Sequence, residues 1–164
     1  MTIDRTTTVA FTGHRTYDGR AAEMLCATIA ALYHRGYRTF MSGMAVGFDL
    51  AAAEAVIACR AQLPGLHLLC AVPFEEQPRQ FSAVDKQRYA ALLATADAVE
   101  IVCAHYLSEC YTLRNNFLID NASTLIAYYD GSAGGTHYTF RRAQRQRLEI
   151  INLFIDPQQT LPGL

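Results

Sequence analysis

The chain has 164 residues, 51% apolar and 18% charged, a length and composition that fit one globular domain spanning 1–164 and exclude a disordered chain. A formal net charge of −1 supplies no broad positive field for a polyphosphate backbone, so nucleic acid is not an expected partner. No basic start leads into an apolar stretch and no run approaches a membrane span, while five cysteines without a C-x-x-C pair (Cys26, Cys59, Cys70, Cys103, Cys110) read as buried thiols of a cytoplasmic protein, not zinc ligands.

Taken in chain order, apolar runs alternate with helical periodicity. A first strand over Thr8 to Phe11 is followed by a helix from near Arg20 to Tyr33, with Met24, Leu25, Thr28, Ile29 and Leu32 on one stripe. Asp18 is the expected cap at its start and Gly36 its stop. A second strand, Arg38 to Ser42, enters an alanine-rich helix through the turn Gly43 to Gly47, and that helix ends before Pro64-Gly65. Leu66 to Val72 is the third strand, stopped by Pro73. After a polar loop, Ser82 and Asp85 have capping-box spacing for a helix reaching Thr95. Ala98 to Cys103 is a fourth strand, Thr112 to Asn121 a short helix capped by Thr112, Thr124 to Tyr129 a fifth strand, and a last helix opens at Gly135. Ile150 to Ile155 forms a sixth strand, and the tail from Asp156 is expected to be irregular.

Such alternation builds a mainly parallel sheet of about six strands with right-handed crossovers: an α/β, Rossmann-like, three-layer sandwich. The helix-to-strand connections are short stops, whereas the strand-to-helix connections carry the unusual residues. In a parallel sheet the latter gather at the carboxyl ends of the strands, where open α/β folds bind ligands.

Within those turns, Ser42, Gly43, Met44 and Gly47 precede a helix whose free amides suit a phosphate. Asp49 reads equally as an acceptor for a ribose hydroxyl and as a first-turn acid. Gly134, Gly135 and Thr136 open the last helix as a second candidate anion nest. Thr12-Gly13-His14-Arg15 follows the first strand; Arg15 is the candidate partner of a phosphate or carboxylate, and His14 a candidate acid/base group. Pro73 and Phe74 end the third strand, and Leu113, Phe117 and Leu118 are expected against the sheet with Arg114 and Asn115 at the crevice mouth. The arginine group Arg141, Arg142, Arg145 and Arg147 reads as a solvated helix face. The five histidines show no metal spacing, and neither a G-x-G-x-x-G fingerprint, a P-loop nor a G-x-S-x-G elbow occurs, so no metal and no cofactor is expected.

In order along Val9 to Phe154, these motifs (Thr12 to Arg15, Ser42-Gly43-x-x-x-Gly47-x-Asp49, Pro73-Phe74, Arg114-Asn115 with Asp120, Tyr129-Asp130-Gly131, and Gly134 to Thr136) resemble the YpsA family within the SLOG superfamily. The resemblance implies a Rossmann-like domain for a nucleotide-derived ligand such as a nucleotide sugar or an ADP-ribose-like molecule, and homodimerisation. It places Gly47 and Asp49 in the ligand pocket and Gly134, Gly135 and Thr136 at its phosphate end. The superfamily also holds phosphoribohydrolases with a P-G-G-x-G-T-x-x-E stretch, and DprA proteins that bind single-stranded DNA. Here the stretch runs from Gly131 to Thr139 without that proline, and Thr139 stands where the acid would be. The first expectation is therefore a regulatory or sensing domain that binds a nucleotide-like small molecule. The alternative is a nucleotide N-glycosidase in which Asp49, Glu109 or Asp120 replaces the missing carboxylate, with Asp49 and Asp120 the favoured candidates; DNA binding ranks last.

Overall fold

A computed structural model describes residues 1–156; the tail expected beyond Asp156 lies outside the described residues. Six strands, β1 (Thr8–Gly13), β2 (Thr39–Ser42), β3 (His67–Val72), β4 (Ala98–Ile101), β5 (Thr124–Tyr128) and β6 (Glu149–Asn152), alternate with five helices. These are α1 (Ala22–His34), α2 (Phe48–Cys59), α3 (Ala83–Thr95), α4 (Cys110–Asp120) and α5 (Gly135–Arg145). The strands form one sheet in the order β4-β3-β2-β1-β5-β6, and every pairing in it is parallel. This is the Rossmann-like α/β fold that the alternation predicts.

Period-two alternation along the strands sends successive residues to opposite faces. Val9, Phe11, Phe40, Leu68, Cys70 and Ile126 pack beneath Leu25, Ile29 and Leu32 of α1, Val56 of α2 and Leu92 of α3. Ala10, Met41, Leu69, Ala71, Leu125 and Ala127 pack on the other face with Leu118 and Ile119 of α4 and Ala143 of α5. Both faces of the central strands are thus covered. The edge strands are more open: Val99 and Ile101 of β4 are exposed, and β6 is half-buried to exposed throughout.

Several local expectations are corrected. Asp18 does not cap α1; its Oδ1 accepts from the Arg20 amide in a turn ahead of the helix, and Ala21 occupies the cap without a side-chain bond. Thr112 is no cap either, because α4 begins two residues earlier, behind Glu109. On this helix Leu113 points away from the sheet and is exposed, while Arg114 shares the buried face with Leu118, four residues on. Ser82 does cap α3 by accepting from the Asp85 amide, but the Asp85 carboxylate pairs with Arg88 instead of closing the box. β4 ends at Ile101 and β6 covers Glu149–Asn152, both short of the apolar runs. Part of the polar loop after β3 is a 3-10 turn, Gln77–Gln80. Not all thiols are buried: Cys26 sits off the Leu25–Ile29–Leu32 stripe and is exposed. No described helix is long and apolar enough to cross a membrane.

Candidate functional site

From β1 the chain progresses outward through β2, β3 and β4, then returns to lay β5 and β6 on the other side of β1. The carboxyl ends of β1 and β5 therefore flank a topological switch point, where diverging connections leave a crevice. A cavity of about 380 Å³ lies there, lined by Phe11 to Arg15 from the end of β1, Ala45 and Asp49 at the entry to α2, residues of α4, and Gly134 to Thr136 at the start of α5. Four separate sequence regions converge on one rim.

The turn into α2 is built around its own polar groups. Ser42 Oγ donates to the Asp49 carbonyl at 2.8 Å and accepts from the Met44 amide at 3.2 Å. Met44 takes a left-handed φ of 61° to permit this, and Gly47 follows at φ 84°. A Cβ on Gly47 would lie 2.5 Å from the Arg15 carbonyl oxygen, so only glycine lets the two loops touch. The Phe48 amide donates to the His14 carbonyl, and those of Leu50 and Ala51 donate to Ala45 and Gly47.

Asp49 is buried on the cavity wall; its Oδ2 accepts a long bond from the Ala45 amide at 3.4 Å, and Oδ1 has no partner among the described residues. Burial pushes this carboxyl up to about 6, against the opposing pull of the Arg114 guanidinium, the Ala45 amide and Arg15. Arg114 is equally buried, and desolvation lowers its pKa while the Asp49 charge acts in the other direction. Its guanidinium donates to the Gly43 carbonyl and to Asn115 Oδ1 at 2.8 Å, an arrangement in which Gly43 leaves the room a side chain would fill.

Across the cavity, Gly134 at φ 142° turns the chain into α5 without a side-chain cap. Among the described residues, the amides of Gly135, Thr136 and His137 donate to no protein acceptor, in contrast to the occupied entry of α2. Arg15 is exposed and enters no ion pair among the described residues. With Arg114 and the α5 amides, it gives the rim a positive potential next to a single carboxylate. His14 Nε2 lies 2.8 Å from Asp130 Oδ1 and 3.0 Å from the Asp130 amide; its proton decides which of the two it bonds. Asp130 itself is held below the ordinary carboxylate range, chiefly by the Ser132 hydroxyl and amide.

The cavity thus unites Thr12, Gly13, His14, Arg15, Asp49, Arg114, Asn115, Gly134, Gly135 and Thr136. Ser42, Gly43, Met44, Gly47 and Pro73 line no cavity described here; the first four shape the α2 turn from behind. Phe74 faces a second, neighbouring cavity. Asp120 is remote from both, at the end of α4, where it pairs with Arg142 at 2.8 Å and accepts from Gln146. Glu109 is exposed ahead of α4 and lines neither. The sequence pattern missed Phe11, Ala45, Tyr111 and Leu118 on the first cavity wall. The i, i+3, i+4 spacing of Tyr111, Arg114, Asn115 and Leu118 on one helix is the signal that links them. No cluster of three or more metal-ligating side chains occurs among the described residues.

A family model described as the YspA SLOG family matches residues 20–157. The uncharacterized SPbeta prophage-derived protein YoqJ of Bacillus subtilis (strain 168) is 30% identical over 123 residues, covering 66% of this chain and 71% of that protein. A UPF0398 protein of Bacillus thuringiensis (strain Al Hakam) is 31% identical over 109 residues; the alignment covers 65% of this chain and 59% of that relative. Among solved structures, DNA processing protein A (DprA) from Streptococcus pneumoniae superposes with a TM-score of 0.62 at 17% identity, over 88% of this chain and 49% of DprA. DNA processing protein A from Helicobacter pylori, whose structure describes a single-stranded DNA binding mode, gives 0.62 at 16% identity, over 87% and 63%. At such identities the likeness is one of fold.

Proposed function

The chain belongs to the YspA SLOG family, and from that membership and the switch-point cleft we propose that it binds a nucleotide-derived small molecule, a nucleotide sugar or ADP-ribose-like ligand, in a regulatory or sensing role. One observation carries this reading: Asp49, whose buried Oδ1 has no partner among the described residues, lines one cavity with two arginines and with the start of α5, whose amides meet no described acceptor. A phosphate suits Arg15 and the amides of Gly135 to His137, where the helix dipole and charge-assisted bonds add. A sugar hydroxyl suits Asp49, which as a carboxylate accepts and does not donate. A ligand without hydroxyls would leave that oxygen buried and unpaired, an arrangement that disfavours binding.

Thermal unfolding in the presence of AMP, ADP-ribose, NAD, nucleotide sugars and cyclic nucleotides tests the proposal. Ligand at a hundred times its dissociation constant stabilises the fold by about 2.7 kcal/mol, which for a domain of this size raises Tm by roughly 5–11 °C. No shift with any member of the panel would refute it. Homodimerisation and a reducing cytoplasmic location belong to the same proposal; light scattering of the purified chain tests the first, and the free state of all five cysteines fits the second.

A second reading, hydrolysis of a nucleotide N-glycosidic bond, is favoured by one feature. Asp49, raised to about 6 and on the cavity wall, exchanges a proton near neutral pH. Water adding across that bond would release free base and a sugar phosphate, and Asp49→Asn would abolish the release. DNA binding like that of the Helicobacter protein is less well matched. Arg142 is committed to Asp120, Arg141 reaches Gln144, and the whole chain is slightly acidic. Oligonucleotide affinity that falls steeply with salt would reverse that ranking.

A further inference from the structure

The cleft does not end at the anion-binding rim. A second cavity of about 910 Å³ shares Arg15, Ala45 and Tyr111 with the first, so the two are adjoining compartments with Arg15 at the junction. The first carries the start of α5 and the Arg114 guanidinium, whereas the second adds the rings of Phe74, Phe81 and Tyr106 to the Tyr111 ring that both share.

Phe74 stands edge-to-face with both tyrosines, 5.1 Å and 75° from Tyr106 and 5.5 Å and 85° from Tyr111. Phe74 is buried, yet Tyr106 remains 61% exposed while packing against this ring, which lines the same cavity. A large aromatic ring oriented by its neighbour but not covered by it is a free stacking face. On the same wall Gln80 makes no side-chain hydrogen bond among the described residues, while Gln77 is committed to the Gly43 carbonyl and the Tyr89 hydroxyl. The wall also carries Glu76 and the Arg88-paired Asp85 together with Arg15 and Arg79, a mixed charge that gives successive phosphates of a nucleic-acid strand no continuous path.

We propose that this second cavity is the base subsite: the ligand lies across Arg15 with its phosphate at Gly134–Thr136 and its planar base stacked on Tyr106, and the Gln80 amide reads the base edge. The assignment rests on the nucleotide reading of the first cavity and extends it to the ligand's orientation.

Calorimetric titration of the full chain with AMP and with ribose 5-phosphate tests it, using Tyr106→Ala and Tyr106→Phe. Base–aromatic stacking predicts that AMP binds wild type about tenfold or more tighter than ribose 5-phosphate. Tyr106→Ala removes that advantage and leaves ribose 5-phosphate affinity unchanged, while Tyr106→Phe keeps it. Adenine H2 and H8 resonances move upfield on binding to wild type and not to Tyr106→Ala. Because Tyr106 is exposed, both variants keep the wild-type melting profile, and circular dichroism verifies this. Equal affinity of wild type for the two probes, or equal weakening of both by Tyr106→Ala, overturns the base subsite while leaving the anion site standing. Binding of neither probe overturns both. Displacement of AMP by an equal nucleotide concentration of oligothymidylate assigns the aromatic wall to a DNA strand and likewise overturns the proposal.

Discussion

Replacing Asp49 by Asn is expected to stabilise the protein at pH 8 while weakening its ligand affinity. Burial raises the Asp49 carboxyl from an ordinary 3.8 to about 6. The folded state therefore holds a proton there that the unfolded chain has already released. Protonation stabilises fully below about pH 4, and the benefit disappears as pH rises through 6. A shift of roughly two units corresponds to ~3 kcal/mol of ionisation penalty at pH 8, and the value already includes the attraction of Arg114. Asn imitates the protonated acid and retains an acceptor for the Ala45 amide, so it escapes that penalty. Urea unfolding followed by circular dichroism at half-unit steps from pH 4 to 8 gives the difference directly, since other titrations cancel between the two proteins. The variant and wild type should match at pH 4, diverge by about 1.4 kcal/mol per pH unit between, and run parallel above pH 6.5. A gap independent of pH, or a variant less stable than wild type at pH 8, would refute an ionised, poorly compensated carboxylate.

Arg114→Met leaves the Asp49 charge buried without its counter-ion and should lower stability at pH 8 by about 3–5 kcal/mol; the Arg114→Met/Asp49→Asn double variant should recover most of it in the same urea titration. Gly47→Ala combines left-handed strain with a Cβ placed 2.5 Å from the Arg15 carbonyl. It should lose about 1–3 kcal/mol and some phosphate affinity as the Arg15 loop is displaced, whereas Gly65→Ala, at φ 82° with open space around it, should lose stability alone. Arg15→Ala, at an exposed side chain without an ion pair among the described residues, should reduce AMP affinity at least tenfold in calorimetry and leave Tm unchanged; unaltered affinity would remove Arg15 from the site.

Alternation of apolar runs and helical stripes was enough to read the parallel sheet, because Val9, Phe40, Leu68 and Ile126 occupy strands covered on both faces and look continuous in sequence. The ends that carry the site were legible for the same reason: once the sheet is parallel, every strand-to-helix turn falls on one rim. What sequence could not separate was two glycine turns of similar composition. Whether amides at a helix entry are free depends on acceptors far away in the chain, here the His14 carbonyl for Phe48 and, among the described residues, none for Gly135. Asp120 looked as eligible as Asp49, but its environment is set by Arg142, 22 positions away. The second cavity was invisible because a 3-10 turn and the loop around Tyr106 meet only through long-range folding.

The two cavities are also joined beneath their floors. Asp49 lies in the field of Arg114, Arg114 donates to the Gly43 carbonyl, Gln77 donates to the same oxygen at 3.0 Å, and the Tyr89 hydroxyl donates to Gln77 Oε1 at 3.1 Å. All five residues are buried, in a place where aliphatic side chains would pack at lower energetic risk. A satisfied polar network in low dielectric is rigid and tolerates few alternative arrangements. It holds the wall between the two cavities in one geometry. Such preorganisation would reduce the ordering entropy of the proposed binding, and Asp49 Oδ1, buried and without a partner among the described residues, is where the network is left incomplete beside the cavity.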